Sequence, residues 1–414
     1  MRDISHTKSP TPALPQREVA ADKTGNDRTP SRWGKIGVGL LCLILCGCIT
    51  EYFPKGLDEE ADILVVEGII TDDESYIMLS RSINLSDGKD DWWTSTQYID
   101  YATVCVECDD GTQLYGQYNW DGSRYVINMG KLIPDRQYRL KIVIDEPDYS
   151  SGDCRLDFWG TIQCPTRTVE YCSDFSYPIQ TPEIDSIFWT KRGEGQPVMI
   201  HVATHEPTGK VLYYRWSYKE DWEYHADVYL TDYPFYCWGK ANNDELLLGN
   251  AEKTVFGKLT DIVTEMSPRS KRLSYLYRID VSQNVISKRA YDYFSNIKKN
   301  AQQVGSIFAP IPSELRGNIT CITDPSKPVI GYVDISTTTK KVRYIHYSEG
   351  AYDSFYNREC QIYTGPELIE MYGFIPTEFI LIDPRAIPRT YVREICVDCT
   401  YYGGSEQKPD DWPN

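Results

Sequence analysis

Residues 64–79 read Leu-Val-Val-Glu-Gly-Ile-Ile-Thr-Asp-Asp-Glu-Ser-Tyr-Ile-Met-Leu, and they show which class of structure to expect. Two segments rich in apolar and β-branched residues, Leu64 to Ile70 and Tyr76 to Leu79, flank an acidic turn from Asp72 to Ser75. This pattern predicts a β-hairpin, because β-branched side chains fit the pleated surface of a strand and a short polar cluster favours chain reversal.

Similar segments follow the hairpin at regular spacing, with turn sequences such as Asp109-Asp-Gly111 and Asp121-Gly122 between them. The predicted strands are Tyr101 to Cys108, Gln113 to Asn119, Arg124 to Met129 and Tyr138 to Ile144. Short strands repeated in this way are typical of an antiparallel sandwich. We therefore predict an immunoglobulin-like first domain over residues 61–146, followed by a cysteine-rich loop or linker over residues 147–178.

A second series of strands begins at Glu183 to Trp189 and predicts a C-terminal β-rich domain over residues 179–401. One helix is predicted inside it, over residues 287–303, because apolar residues recur there at helical spacing and Ser287 can cap the first turn. These apolar residues are Ala290, Phe294, Ile297 and Ala301. The predicted fold class is mainly β, with two immunoglobulin-like or β-sandwich-type domains in tandem, the second with one long α-helix.

The C-terminal part carries two further predictions. Val329 to Ile335 and Lys341 to Tyr347 are predicted to form a hairpin, because both segments are rich in β-branched and aromatic residues. Residues 402–414 have no apolar periodicity, and we expect an irregular tail without a core to join.

The beginning of the chain indicates export. Arg32 and Lys35 precede an apolar run from Ile36 to Ile49, which is shorter than the about 20 residues of a membrane-spanning helix. The run ends in Leu45-Cys46-Gly47-Cys48, which resembles the lipobox of bacterial lipoproteins. We therefore predict a disordered leader plus lipoprotein signal peptide over residues 1–47, lipidation of Cys48, and a tether over residues 48–60 that holds the protein at a membrane.

Composition excludes one class of partner. The chain has 414 residues, 41% of them hydrophobic, so it can form two or three folded units. Its 43 basic and 60 acidic residues give a net charge of −17. Nucleic acid is excluded as a partner, because binding to it depends on Lys and Arg that neutralise phosphates.

The cysteine count agrees with an oxidising compartment. Ten of the 13 cysteines follow Cys48 in the sequence, and an even number of cysteines in an exported protein favours disulfides. The ten candidates are Cys105, Cys108, Cys154, Cys164, Cys172, Cys237, Cys321, Cys360, Cys396 and Cys399. Their pairing stays open, except that Cys154, Cys164 and Cys172 lie close together in sequence, which suggests that they cross-link a local loop.

Two CxxC pairs and one His-x-x-x-His pattern raise the question of a metal. In a strand, Cys105 and Cys108 point to opposite faces, which disfavours a shared metal or bridge. For this pair and for Cys396 and Cys399 we predict disulfides with other partners, with a metal site or free thiols as the alternatives. His201 and His205 would lie about 13 Å apart in a strand. The sequence also lacks the common nucleophile, zinc-protease, phosphate-loop and EF-hand motifs. We therefore predict no metal, no cofactor and no enzymatic activity, with a hydrolase that uses dispersed acidic residues as the alternative.

One strand carries an aromatic stripe. Tyr214, Trp216 and Tyr218 alternate with polar residues and share one face. Such a stripe can contact a glycan or peptide ligand, but it is more often half-buried strand surface.

Several segments, in order, carry a family resemblance. After the lipobox and residues 64–70 come Thr181-Pro-Glu-Ile-Asp-Ser186, Tyr213-Tyr-Arg-Trp216, Cys237-Trp238, Ala290-Tyr-Asp-Tyr293, Arg316-Gly-Asn-Ile-Thr320 and Cys396-Val-Asp-Cys-Thr400 with Gly403-Gly404. This series resembles the Bacteroidota lipoprotein family called domain of unknown function 4249. The resemblance implies an outer-membrane lipoprotein encoded beside TonB-dependent transporters, with no known activity and no catalytic residue to carry over.

These observations lead to one expectation about function. We expect a lipid-anchored outer-membrane protein, facing the cell surface rather than the periplasm, that works without catalysis as an accessory, ligand-capture component of a TonB-dependent transporter in nutrient uptake. The alternative is a structural or adhesive surface lipoprotein that has no transported ligand.

Overall fold

A computed structural model describes residues 63–82, 98–148, 151–156, 162–210, 212–243, 245–254, 257–303, 317–353 and 360–413. These residues form a mainly β structure, as predicted, with strands grouped into two sandwiches and two small sheets. The described part of the chain contains two α-helices, α1 (Lys288–Gln303) and α2 (Gly365–Tyr372).

The strands follow one another along the chain with mostly short connections. In chain order they are β1 (Leu64–Ile69), β2 (Ser75–Arg81), β3 (Thr103–Cys108), β4 (Gln113–Tyr115), β5 (Gln117–Asn119), β6 (Arg124–Ile127), β7 (Tyr138–Pro147), β8 (Arg155–Leu156), β9 (Ile162–Gln163), β10 (Thr166–Ser173), β11 (Ile184–Lys191), β12 (Val198–Thr204), β13 (Tyr213–His225), β14 (Tyr236–Asn242), β15 (Leu247–Asn250), β16 (Leu259–Met266), β17 (Leu276–Ile286), β18 (Ile319–Cys321), β19 (Val329–Gly331), β20 (Thr338–His346), β21 (Tyr363–Thr364), β22 (Phe379–Asp383) and β23 (Thr390–Arg393).

The first sandwich consists of two five-stranded sheets, ordered β19-β1-β2-β6-β5 and β18-β10-β7-β3-β4. β1 and β2 pair antiparallel over six residue pairs, which confirms the predicted hairpin. Alternation places one face of each sheet in the core. In β7, Leu140, Ile142 and Ile144 are fully buried between the sheets.

The first sandwich also takes strands from far downstream. β18 pairs with β10, and β19 pairs parallel with β1, so each sheet receives an edge strand from residues 319–331. β19 lies so close to β1 that a Cβ at Gly331 would sit 2.5 Å from the carbonyl oxygen of Val66. The sandwich predicted for residues 61–146 is therefore completed by β10, β18 and β19.

The segment predicted as a cysteine-rich linker, residues 147–178, contains regular structure. β8 and β9 form a two-stranded sheet, and a disulfide joins Cys154 to Cys164 across that excursion. β10 follows this small sheet in the chain and pairs antiparallel with β7 over seven residue pairs.

The second sandwich packs the sheet β11-β12-β16 against the sheet β14-β13-β17-β20, with β15 also paired to β13. Its core includes Val198, Ile200, Tyr277 and Ile279, all fully buried. The predicted helix is confirmed as α1. Its first turn is capped by Ser287, whose hydroxyl accepts a hydrogen bond from the amide of Ala290 at 3.1 Å.

One C-terminal prediction is wrong and another is only partly correct, because both segments make contacts with distant parts of the chain. The predicted hairpin of residues 329–335 and 341–347 is wrong, because β19 pairs with β1 of the first sandwich while β20 pairs with β17 of the second. The tail is irregular as predicted, but it does join a core. Trp412 is 5% exposed, and its indole nitrogen donates to Glu223 at 2.8 Å.

A small C-terminal module, residues 360–402, lies beside the second sandwich. It contains the sheet β21-β23-β22 and helix α2, which carries a Thr364 and Glu367 capping box. The Cys360–Cys396 disulfide closes the module, and the Cys237–Cys399 disulfide attaches it to β14.

Candidate functional site

The two sandwiches meet at the turn between β1 and β2. Thr71 shares a short hydrogen bond with Thr338, whose amide donates to the Asp72 carboxylate at 2.8 Å. Next to it, the Lys340 ammonium lies 2.5 Å from Asp73. Because these contacts join the β1–β2 turn to β20, they fix one sandwich against the other along this edge.

A groove runs beside this contact. We call it the inter-sandwich groove, with a volume of about 530 Å³, a size common for ligand sites. Its floor is the outward face of β14, β13, β17 and β20, and its wall comes from the first sandwich. The charged side chains that line it are Asp73, Glu74, Arg124, Arg215, Lys219, Glu220, Asp221, Lys240, Asp280 and Lys340.

Some of these charges are paired within the protein. Arg124 contacts Glu74 at 2.6 Å, and Arg278 reaches Asp221 at 3.5 Å. Burial opposes the ionisation of Asp73, but the hydrogen bond and charge of Lys340 outweigh it and lower the pKa of Asp73. These pairs are internal links of the groove wall and floor.

Other charges have no such partner. Among the described residues, Arg215, Lys219 and Lys240 make no ion pair, although all three face the groove. Arg215 instead lies over the ring of Phe294, 5.3 Å from its centroid. Among the described residues, the groove thus presents three cations and one carboxylate, that of Asp280, without an ion pair.

The acidic residues of the floor are more buried. Lys219 lies opposite Asp280 in the strand register, and Asp221 lies opposite both Arg278 and Lys240. The Oδ1 atom of Asp280 is buried and has no hydrogen-bond partner among the described residues. Burial raises the pKa of Asp221, the charge of Arg278 opposes this, and Asp280 contributes to the increase.

The rings of the predicted aromatic stripe pack into the second sandwich, although Trp216 and Tyr218 also border the inter-sandwich groove. Tyr214 is fully buried, Trp216 is 2% exposed, and Tyr218 packs against the same core of the second sandwich. The Trp216 indole donates to Gln283 at 2.9 Å inside that core. The proposal that these rings contact a ligand is therefore corrected, since the hydrophobic side of β13 packs inward and its polar side faces the groove.

The ten candidate cysteines all lie in the described residues and divide into two groups. Six are paired in the three disulfides described above, which confirms the disulfide prediction for these residues. The prediction is wrong for the remaining four, which carry free buried thiols: Cys105, Cys108, Cys172 and Cys321.

Geometry explains why these thiols stay apart. Cys105 on β3 and Cys172 on β10 lie on the outward face of the first sandwich, with Lys141 of β7 between them. Their strands are therefore about 10 Å apart. A disulfide needs Cα atoms within about 7 Å, so these two cysteines cannot pair. Cys108 belongs to the core instead, so the two cysteines of the first CxxC do face opposite sides. Burial raises the pKa of Cys172 to about 11, which keeps its thiol protonated and unreactive.

The two histidines are held separately. His201, on β12, contacts Thr190 at 2.7 Å, while His205 contacts Asp185 at 2.7 Å in a shallow exposed hollow. No group of three or more potential ligand side chains that could hold a metal is present in the part of the chain that the structure describes. Within the same residues, no helix is both long and apolar enough to cross a bilayer. Cys48 lies outside the described residues.

Sequence reasoning missed the inter-sandwich groove. Alternation along residues 213–221 placed the polar residues of β13 on one face, but nothing local indicated that residues 71–76 and 124 would form the opposite wall. The available signal was limited to two cations, Arg215 and Lys219, on one face of a strand in an acidic protein.

Two comparisons with known proteins bear on the chain as a whole. A family model described as "Domain of unknown function (DUF4249)" matches residues 49–342, which include both sandwiches through β19 and most of β20. The C-terminal module lies beyond the matched range. A search of curated proteins found no match.

Proposed function

The chain belongs to the DUF4249 family, and from that premise we propose that it is an exported, lipid-anchored outer-membrane protein that captures a ligand and passes it to a TonB-dependent transporter without catalysing a reaction. The observation that carries this proposal is the inter-sandwich groove. It is large enough for a small ligand, it is open, and its lining includes Arg215, Lys219 and Lys240, which make no ion pair with other described residues.

The disulfides support export. Three disulfides in one chain are expected outside the reducing cytosol. The Leu45-Cys46-Gly47-Cys48 sequence supplies the acceptor for a lipid, and several acyl chains hold a protein at a membrane persistently where one does not. In this proposal the folded part stands on a tether outside the bilayer, with the groove accessible to solutes.

The construction of the groove supports binding rather than catalysis. Its floor is built on paired strands, which position side chains precisely. Asp221 is held by Arg278, and Asp280 faces Lys219 in register, so the acidic residues of the floor lie among cations. Such a mixed surface suits recognition of a polar ligand through several simultaneous contacts.

Lipidation is tested by changing its acceptor. Full-length wild-type protein and the Cys48→Ala variant are expressed in a bacterium with a lipoprotein pathway, and cells are separated into membrane and soluble fractions. We expect the wild type in the outer-membrane fraction with an acylated N-terminal cysteine in mass spectrometry, and the variant released or unprocessed. An unmodified Cys48 in a cytosolic, fully reduced wild-type protein would contradict the proposal.

The transporter partner is tested by co-purification. Tagged wild-type lipoprotein is isolated from detergent-solubilised membranes of its native host, with the Cys48→Ala variant as the matched control. We expect a β-barrel transporter in roughly equal amount with the wild type. Repeated isolation without any barrel would rule out the accessory role.

One observation favours the alternative, a structural or adhesive surface lipoprotein. The C-terminal module exposes apolar side chains, including Phe374 at 64% and Ile387 at 99%. Exposed apolar patches often mark contact surfaces. If deletion of the module abolishes attachment of cells to a surface while nutrient uptake stays unchanged, the adhesive role is the better one.

A further inference from the structure

We propose that the inter-sandwich groove binds an acidic oligosaccharide, a chain of sugar units that carry carboxylate groups. This inference rests on the proposed function, because it names the class of ligand that the capture site takes.

The charges favour an anionic ligand. Arg215, Lys219 and Lys240 have no carboxylate within ion-pair distance in the described part of the chain, whereas Lys340 and Arg124 are already paired. An anion bound among the three free cations gains charge-assisted hydrogen bonds that water only partly replaces. Asp73, Glu74, Asp221 and Asp280 line the same groove, so the preference for an anion rests on these three individual cations and not on a net positive charge of the lining.

The spacing favours an extended ligand with repeated charges. Arg215 and Lys219 are four residues apart on one face of β13, which places them about 13 Å from each other. Lys240 lies across from Asp221, a further two residues along β13, so the cations extend over about 20 Å. One small anion cannot span this distance, but an oligomer with a carboxylate on successive units can contact all three.

The remaining lining favours sugar over peptide. Ser217, Ser282 and Asn242 present hydroxyl and amide groups that make no side-chain hydrogen bond to other described residues and suit the hydroxyl groups of a sugar. A peptide is usually recognised at a free strand edge or by apolar pockets. Here β13 and β17 are paired on both sides, and the large rings of β13 point into the core.

The Arg215 side chain is held ready for a carboxylate. Its guanidinium lies over the Phe294 ring of α1, which keeps its planar face on the aromatic side. A guanidinium fixed in this way binds a carboxylate with two parallel hydrogen bonds at low entropic cost. Helix α1 therefore belongs to the site through Phe294.

Binding is measured by calorimetry with full-length lipoprotein in detergent. The acidic probes are hexamers of galacturonic acid and mannuronic acid, and the comparison probes are maltohexaose, which is neutral, and hexaglutamate, which is an acidic peptide. We expect binding of an acidic hexamer that weakens as salt increases, and no binding of maltohexaose or hexaglutamate.

Matched variants place the binding in the groove. Lys219→Glu/Lys240→Glu reverses two groove charges, and Lys253→Glu/Lys258→Glu makes the same change in net charge at exposed lysines that do not line the groove. We expect the first variant to bind the acidic hexamer at least about tenfold more weakly, since two charge-assisted contacts are lost, and the second to stay within about twofold. Circular dichroism and thermal unfolding check that both variants fold.

Each contrary result has a defined meaning. Equal affinity in wild type and Lys219→Glu/Lys240→Glu overturns the site, and failure of both acidic hexamers, or tighter binding of hexaglutamate, overturns the ligand class. Binding of maltohexaose alone overturns this inference and leaves the capture function standing. If an acidic hexamer binds in the groove but the lipoprotein never co-purifies with a β-barrel, the transporter role is contradicted and this inference stands.

Discussion

Cys237 of β14 and Cys399 of the C-terminal module are joined by a disulfide across 162 residues of sequence, and both are fully buried. The bond connects an edge strand of the second sandwich to a segment that lies beyond the family match. Tyr224 reinforces this junction, since its hydroxyl donates to the carbonyl of Cys399 at 2.9 Å.

Replacing both partners, Cys237→Ala/Cys399→Ala, is expected to lower the free energy of unfolding strongly. The loop-entropy relation gives about 5 kcal/mol for so long a loop and about 3 kcal/mol for the ten-residue separation of Cys154 and Cys164. Urea unfolding under non-oxidising, non-reducing conditions compares the two double variants. A smaller loss for the first pair than for the second would contradict the predicted order.

The ionisation of Glu146 should make the free energy of unfolding depend on pH. Its buried carboxylate contacts Arg81 and Lys327, each at 2.5 Å, and accepts a hydrogen bond from Tyr171 at 3.1 Å. Burial opposes its ionisation, but the hydrogen bonds from Lys327 and Arg81 outweigh it and hold the pKa of Glu146 below its ordinary value of 4.5. Since the folded pKa is the lower one, this contribution to stability is complete above that value and is lost as the pH falls through the folded pKa.

The Glu146→Gln variant should therefore lose about 1.5–3 kcal/mol at pH 7, because the charge-assisted hydrogen bonds from the partly buried Arg81 and Lys327 to this carboxylate are lost. Its stability should also fall less steeply than that of the wild type between pH 5 and acid, as measured by urea unfolding at each pH. Glu74→Gln, in a more exposed ion pair with Arg124, is the control and should cost about 0–1 kcal/mol. Parallel pH curves for wild type and Glu146→Gln would contradict this assignment.

Trp216→Ala separates the two interpretations of the aromatic stripe. We expect a loss of about 3–5 kcal/mol in the free energy of unfolding, because a buried ring is removed and Gln283 loses its donor. Trp120→Ala, at a ring that is 73% exposed, should change the free energy by about 0.5 kcal/mol or less. If the two variants are equally stable, Trp216 is not a core residue.

Asp280→Asn should strengthen binding of an acidic hexamer. Its carboxylate faces Lys219 across the strand register, and its removal takes away a negative charge from the floor of the groove. We expect an affinity gain of about two- to fivefold, which corresponds to about 0.5–1 kcal/mol. Calorimetry measures it, with the exposed Asp232→Asn as the control of equal charge, and weaker binding by Asp280→Asn would oppose the predicted sign.

Local pattern was sufficient for some elements and insufficient for others. The β1–β2 hairpin, the helix capped by Ser287 and the opposite faces of Cys105 and Cys108 follow from periods of two and 3.6 residues, which the sequence displays directly. The strand that pairs with β19 cannot be predicted in this way, because a short apolar strand has the same composition whether it pairs with a neighbour or with a strand more than 250 residues away.

The groove and the disulfides depend on that same long-range information. The unpaired cations become a site only where Thr71, Asp73 and Arg124 of the first sandwich approach them. Ten cysteines likewise gave no pairing by spacing, and Cys172 remained unpaired because Lys141 separates it from Cys105.

The edge strands β18 and β19, which come late in the sequence, also determine when the first sandwich can complete its folding. A chain that emerges from the ribosome amino-terminus first has made all of β1 to β17 before the last strands of the first sandwich exist. Until then the outer edges of β1 and β10 offer unpaired backbone groups to any neighbouring chain. An exported chain whose residues 319–331 have not yet paired therefore exposes two strand edges, and a carrier that shields these edges would raise the yield of folded protein.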